Sequence, residues 1–133
     1  MNSTAQLYFK TAILLLIVGM IAGIAMSMTH DYRIGPAHAH LNLLGFVLLA
    51  VYGTYFGLNE AKSGGRLPKI IWGIHTAATA VLFPALAYFS LGVTSLEPIL
   101  ALASIALLIA AVLFAWVVWK PEAAVRPITR ATA

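Results

Sequence analysis

The sequence predicts an all-α integral membrane protein: an antiparallel four-helix bundle with both termini in the cytoplasm. Three observations predict it. The 133 residues are 62% hydrophobic and only 9% charged, far from the balance of a soluble domain. Four stretches, 11–28, 34–59, 70–96 and 98–119, carry no Asp, Glu, Lys or Arg, and about 20 mostly apolar residues suffice to cross the hydrocarbon core. The basic residues also fall on one side. Lys10, Lys62, Arg66, Lys69, Lys120, Arg126 and Arg130 flank the same ends of the stretches, whereas only Arg33 lies at the other, with Asp31 and Glu97. That asymmetry is the positive-inside pattern. The net charge of +4 is therefore a topology signal, not a nucleic-acid signal, and the expected location is a bacterial inner membrane.

One membrane domain is expected, with spans near residues 8–29, 36–58, 69–91 and 97–119. The first contains Gly19-x-x-x-Gly23, and Met26 and His30 continue that face at helical spacing. Such a small-residue face suits close helix packing or the approach of a planar cofactor. Ala25-Met26-Ser27 resembles a signal-peptide cleavage site, but the segment is read as a retained span. The second span opens with Pro36, a residue suited to a first helical turn. Its helical wheel puts His38, Asn42, Gly45, Leu49 and Gly53 on one face. His40 lies about 200° away with Leu43, Leu44, Val47 and Val51. The third span holds Trp72, His75 and Pro84, where a kink is expected. The fourth is rich in Ala, Leu and Ile and reads as a packing helix. Tyr8, Tyr55, Trp72, Trp116 and Trp119 at one end, with Tyr32 and Tyr88 at the other, read as an aromatic belt. The tail after Lys120, with Pro121 and Pro127, reads as disordered at its end.

The segment Gly35-Pro36-Ala37-His38-Ala39-His40-Leu41-Asn42-Leu43-Leu44-Gly45 carries the functional signal. Polar groups at membrane depth are costly and mark functional sites, and imidazole is the common ligand of haem iron, copper and zinc. With no cysteine, thiolate sites and iron–sulfur clusters are excluded. His30, His38 and His40 fall near the non-cytoplasmic face. Counting along the spans puts His75 roughly 20 Å from His40 along the membrane normal, too far to share an iron. The expected partnerships are His30 with His38 or His40, or one histidine from each of two subunits. Met26 offers a thioether beside His30. Asn42 is expected to bond an imidazole, a haem propionate or a neighbouring carbonyl. Arg33 is expected to pair with a propionate or to anchor at headgroups. His75 either packs structurally, bonding a carbonyl or Thr79, or belongs to a separate inner metal site. His30 beside Asp31 fits a solvated loop as well as a ligand.

His40-Leu41-Asn42-Leu43 resembles the His-x-Asn-Leu on the second helix of the catalytic subunit of bacterial nitric oxide reductases and related haem–copper oxidases. The longer His-Ala-His-Leu-Asn-Leu-Leu-Gly run is similar to small four-span proteins classed as subunit-I-like in that superfamily. The resemblance covers about residues 36–57. It implies that His40 is an axial ligand of haem b near the outer face. The oxidases carry many more spans and a later helix with paired histidines, which this chain lacks. Haem binding is therefore implied, and oxygen or nitric oxide reduction is not.

The function expected is a haem b-binding membrane protein, dimeric, in electron transfer, gas or redox sensing, or as a respiratory accessory subunit. One alternative is a copper-handling protein using Met26, Met28, His30 and His38, since thioether and imidazole suit Cu(I). The other is an assembly or packing subunit without a cofactor.

Overall fold

The structure, a computed structural model, describes residues 1–122. The expectation for the end of the tail lies outside those residues. Four long helices run α1 Ser3–Thr29, α2 Gly35–Leu58, α3 Leu67–Ser90 and α4 Glu97–Trp119. All four are long and apolar enough to cross a membrane. A single helical turn, Glu60–Ser63, lies between α2 and α3, and a 3-10 turn, Thr94–Leu96, leads into α4. The local chemistry explains these boundaries. The Asn2 side chain accepts from the Ala5 N–H and caps α1. Pro36, Pro68 and Pro98 sit in first turns, where no N–H is needed. The Asn59 amide donates to the Tyr55 carbonyl where α2 ends, and Gly92, at φ +104°, turns the chain beyond α3. The helix α3 continues through Pro84.

Successive helices are the main packing partners: α1 with α2, α2 with α3, and α3 with α4. Of the residues in the most apolar window of each helix, 33% are buried in α2 and α3 but 17% in α1 and α4. The bundle expected from sequence is thus an array with α2 and α3 at its centre and α1 and α4 on its flanks. Small residues set the spacing. A Cβ on Gly53 would stand 2.9 Å from the Tyr8 Cβ, so these backbones meet only because position 53 has no side chain. In α4 the buried positions are Ala103, Ala110 and Val117, a seven-residue repeat that makes one narrow seam.

The core is aromatic and lies toward the end where the chain begins. Tyr8, Tyr52 and Phe56 cluster with Leu49, Ile71 and Val117. Phe114 of α4 stacks on Tyr52 with ring centroids 4.0 Å apart and meets Phe56 edge-on. Tyr8 is fully buried and donates its hydroxyl to the Pro68 carbonyl at 2.8 Å. It is therefore a core residue, not part of the expected belt. Trp72 also leaves the belt, donating its indole N–H to Thr11 Oγ1 at 2.9 Å. Trp116, Trp119, Tyr32 and Tyr88 are exposed, as a belt requires.

Two glycine substitutions are expected to act in opposite directions. Gly53→Ala gains about 1 kcal/mol of helix propensity but overpacks against Tyr8 at a cost of about 1–3 kcal/mol, so it destabilises. Gly73, whose Cβ would meet nothing within 4 Å, leaves only the propensity gain, so Gly73→Ala stabilises. Unfolding in mixed micelles checks both signs.

Candidate functional site

The histidine-rich start of α2 divides its side chains between two faces, as its helical spacing predicts. His38 and Asn42 point into α1. The His38 Nδ1 lies 2.8 Å from the Gly19 carbonyl. A carbonyl only accepts, so Nδ1 carries the proton and Nε2 presents its lone pair. The Asn42 amide N–H donates to that Nε2 at 3.3 Å. Asn42 Oδ1 is buried with no partner. This pair needs bare backbone opposite: a Cβ on Gly19 would overlap Asn42 Oδ1, and one on Gly23 would lie 2.9 Å from His38 Cε1. The Gly19/Gly23 face is therefore a packing surface that receives the polar side chains of α2. Of the roles expected for Asn42, the structure displays the bond to an imidazole.

His40 faces the other way. It is exposed, on the same outward face as exposed Leu43, Val47 and Val51. Its Nδ1 lies 2.7 Å from the Pro36 carbonyl one turn back. By the same reasoning the proton sits on Nδ1, and the Nε2 lone pair points away from its own helix. A backbone carbonyl holding one imidazole nitrogen so that the other is free is the usual support of a metal-ligating histidine.

His75 is buried completely, and its Nε2 donates to the Leu44 carbonyl of α2 at 2.9 Å. Leu44 lies in a π-helical segment, Leu41–Leu48, where the wider turn re-aims backbone carbonyls. The Tyr52 ring meets the imidazole edge-on, with centroids 5.5 Å apart. His75 Nδ1, Thr76 Oγ1 and Thr79 Oγ1 are buried without hydrogen-bond partners. The carbonyl bond expected for His75 is present; the bond to Thr79 is not.

This contact corrects the depth expected for His75. His40 is four residues from Leu44, about 6 Å along the helix, so the two histidines are not separated by roughly 20 Å. The connection between α2 and α3 explains the difference. Thr4 Oγ1 donates to the Ser63 carbonyl at 2.9 Å, and Tyr8, packed on Gly53, reaches Pro68. The chain is thereby folded back, and α3 begins near the level of Gly53 instead of at the tip of α2. His40 and His75 are kept apart by direction, one outward and one inward.

The remaining candidates lie where α1 ends. His30 is exposed and left-handed, at φ 53°, as it closes α1. Arg33 is held by Asp31 through a bidentate pair with contacts of 2.6–3.1 Å. Met26 is buried and lines a small cavity of about 210 Å³ with Thr29, Arg33 and Leu91. Met28 is exposed. Met26, Met28, His30 and His38 are not gathered into a copper site, because both His38 nitrogens have partners and Met28 faces outward. Among the described residues no group of three or more His, Cys, Asp or Glu is placed to hold a metal ion. Sequence reasoning missed the π segment, and it expected a carbonyl partner for His75 without identifying Leu44 as the acceptor. The one available signal was a histidine on the apolar third span, which had to find a partner inside the protein.

Comparison of the chain with protein-family models, with curated proteins and with solved structures gives no match.

The Asp31–Arg33 pair yields a pH prediction. Hydrogen bonds from Arg33, first from its side chain and then from its backbone, lower the Asp31 carboxyl from 3.8 to about 2. A depressed carboxylate contributes its stability above the ordinary carboxylate range and loses it as pH falls through about 2. Both partners are exposed, so the contribution is small. Carboxyl carbon NMR of Asp31 is expected to show the low midpoint, and Arg33→Gln is expected to return it to the ordinary range.

Proposed function

We propose that this chain is a multi-pass protein of the bacterial inner membrane that binds haem b through His40 Nε2. The observation that carries the reading is the His40 geometry: Nδ1 is fixed on the Pro36 carbonyl and Nε2 is turned outward at the head of a membrane-length helix. The donor set fits the group. A neutral imidazole held in one tautomer is a good axial ligand to haem iron. Leu43, Val47 and Val51 continue the same face as an apolar surface for a porphyrin edge. The resemblance of His40-Leu41-Asn42-Leu43 to the oxidase motif supports the same residue. The absence of cysteine suits a haem held by coordination alone.

Each side chain then has a role. The Pro36 carbonyl keeps the proton on Nδ1 and orients the ring. The apolar residues below His40 exclude water from the ligating nitrogen. Arg33, at the same end of the bundle, holds Asp31 through Nε and Nη2, which leaves Nη1 for a propionate. His38 and Asn42 fix α2 on α1 and so fix the direction of His40. Haem held there would supply one-electron chemistry with a second protein ligand and gas or redox sensing without one. For the electron-transfer role a second copy across a two-fold axis would supply the second protein ligand, because His40 Nε2 faces away from its own chain. The work of the protein is therefore electron transfer, sensing, or support of a respiratory partner. The reading without a cofactor keeps one observation on its side, since His38 and His75 both bond between helices and Asn42 braces His38 from the same helix.

His40→Ala is expected to remove most of the bound haem, read from the Soret band per chain, while the protein still inserts, because His40 makes no interhelical bond. Unchanged haem content in this variant contradicts the assignment. His75→Phe is expected to lower stability but to keep the haem spectrum, since its nitrogens face the interior.

A further inference from the structure

A second site lies at the opposite end of the bundle, where the chain begins and α4 ends. The turn between α2 and α3 and the end of α4 enclose a cleft of about 260 Å³. Its floor is apolar, made by Leu67, Pro68 and Val117, and its rim carries Lys62, Lys120 and Glu122. Lys62 is pre-positioned. Its ammonium donates to Tyr55 Oη at 3.1 Å and to the Val118 carbonyl at 3.0 Å, and stands 5.8 Å from the Tyr55 ring centroid. An ammonium has three donors, so one remains for a ligand in the cleft that Lys62 lines. Arg66 and Lys69, both exposed on the adjoining segment, extend the positive field.

We propose that this cleft binds the phosphodiester headgroup of an anionic phospholipid. Two ammonium groups on the rim match one phosphodiester, and they outnumber the single carboxylate of Glu122. The apolar floor matches the glycerol and the first methylenes of the acyl chains, which a free phosphate lacks. The cleft also sits at the end of helices of membrane length, where headgroups lie. The inference rests on the membrane-spanning part of the reading above and is independent of haem.

Native mass spectrometry of the full chain tests it, with phosphatidylglycerol, phosphatidylcholine and inorganic phosphate as probes. Phosphatidylglycerol is expected to be retained in preference to phosphatidylcholine and to resist displacement by inorganic phosphate. Each of Lys62→Gln and Lys120→Gln is expected to weaken that retention about fivefold, and Lys10→Gln, at the same end but outside the cleft, to leave it unchanged. Lys62→Gln also loosens α2 from α4, so Lys120→Gln is the decisive variant. Equal retention of both lipids, displacement by phosphate, or equal loss in Lys10→Gln overturns the proposal. Carbonate extraction of the same variants reads membrane spanning itself, so failure of that premise is seen separately.

Discussion

Inside a bilayer a polar side chain has no water to turn to, so it must find its partner in the protein. For a chain that crosses the membrane, as proposed above, that constraint accounts for the polar contacts between the helices. His38 bonds the Gly19 carbonyl, Asn42 bonds His38, and His75 bonds the Leu44 carbonyl. Tyr8 bonds Pro68 and Trp72 bonds Thr11. All but the Asn42–His38 bond, which lies within α2, join different helices, and together they fix how α1, α2 and α3 meet. An interhelical hydrogen bond in a membrane is worth about 1 kcal/mol, so their value is specificity of register more than stability.

The same constraint separates structure from function among the histidines. Satisfied imidazoles act as locks. His38 has both nitrogens committed, and His75 is sealed against Tyr52 and Leu44. His40 alone of the three in α2 and α3 turns an uncommitted nitrogen outward, and it does so with its other nitrogen held by a carbonyl. An exposed, oriented lone pair on an otherwise apolar face is costly to keep unless something occupies it. The glycines belong to this division of labour. Gly19 and Gly23 let His38 and Asn42 sink into α1, which leaves His40 facing away.

Much of this was legible in the sequence. Runs without charge located all four membrane-length helices, and helical spacing put His38, Asn42, Gly45 and Gly53 on one face of α2 and His40 opposite; that the first face meets α1 comes from the structure. The first span was expected to start near residue 8, yet the helix extends to Ser3. Tyr8 looked like an interfacial residue, and nothing local shows that Pro68 would meet it inside the core. The depth of His75 was misjudged because it depends on the folded-back turn near Ser63, a tertiary effect. The π segment left no mark either. Leu41–Leu48 reads as ordinary helix, and only the nearby His75 donor shows where a re-aimed carbonyl is used.

The central claim is that His38 and His75 are locks and His40 is the ligand. Nitrogen NMR of the imidazoles in lipid, before and after haem loading, tests it most directly. Before loading, His38 and His40 are predicted to carry the proton on Nδ1 and His75 on Nε2. After loading, His40 Nε2 alone is predicted to change its resonance. Movement of His38 or His75, or an unmoved His40, would contradict the account.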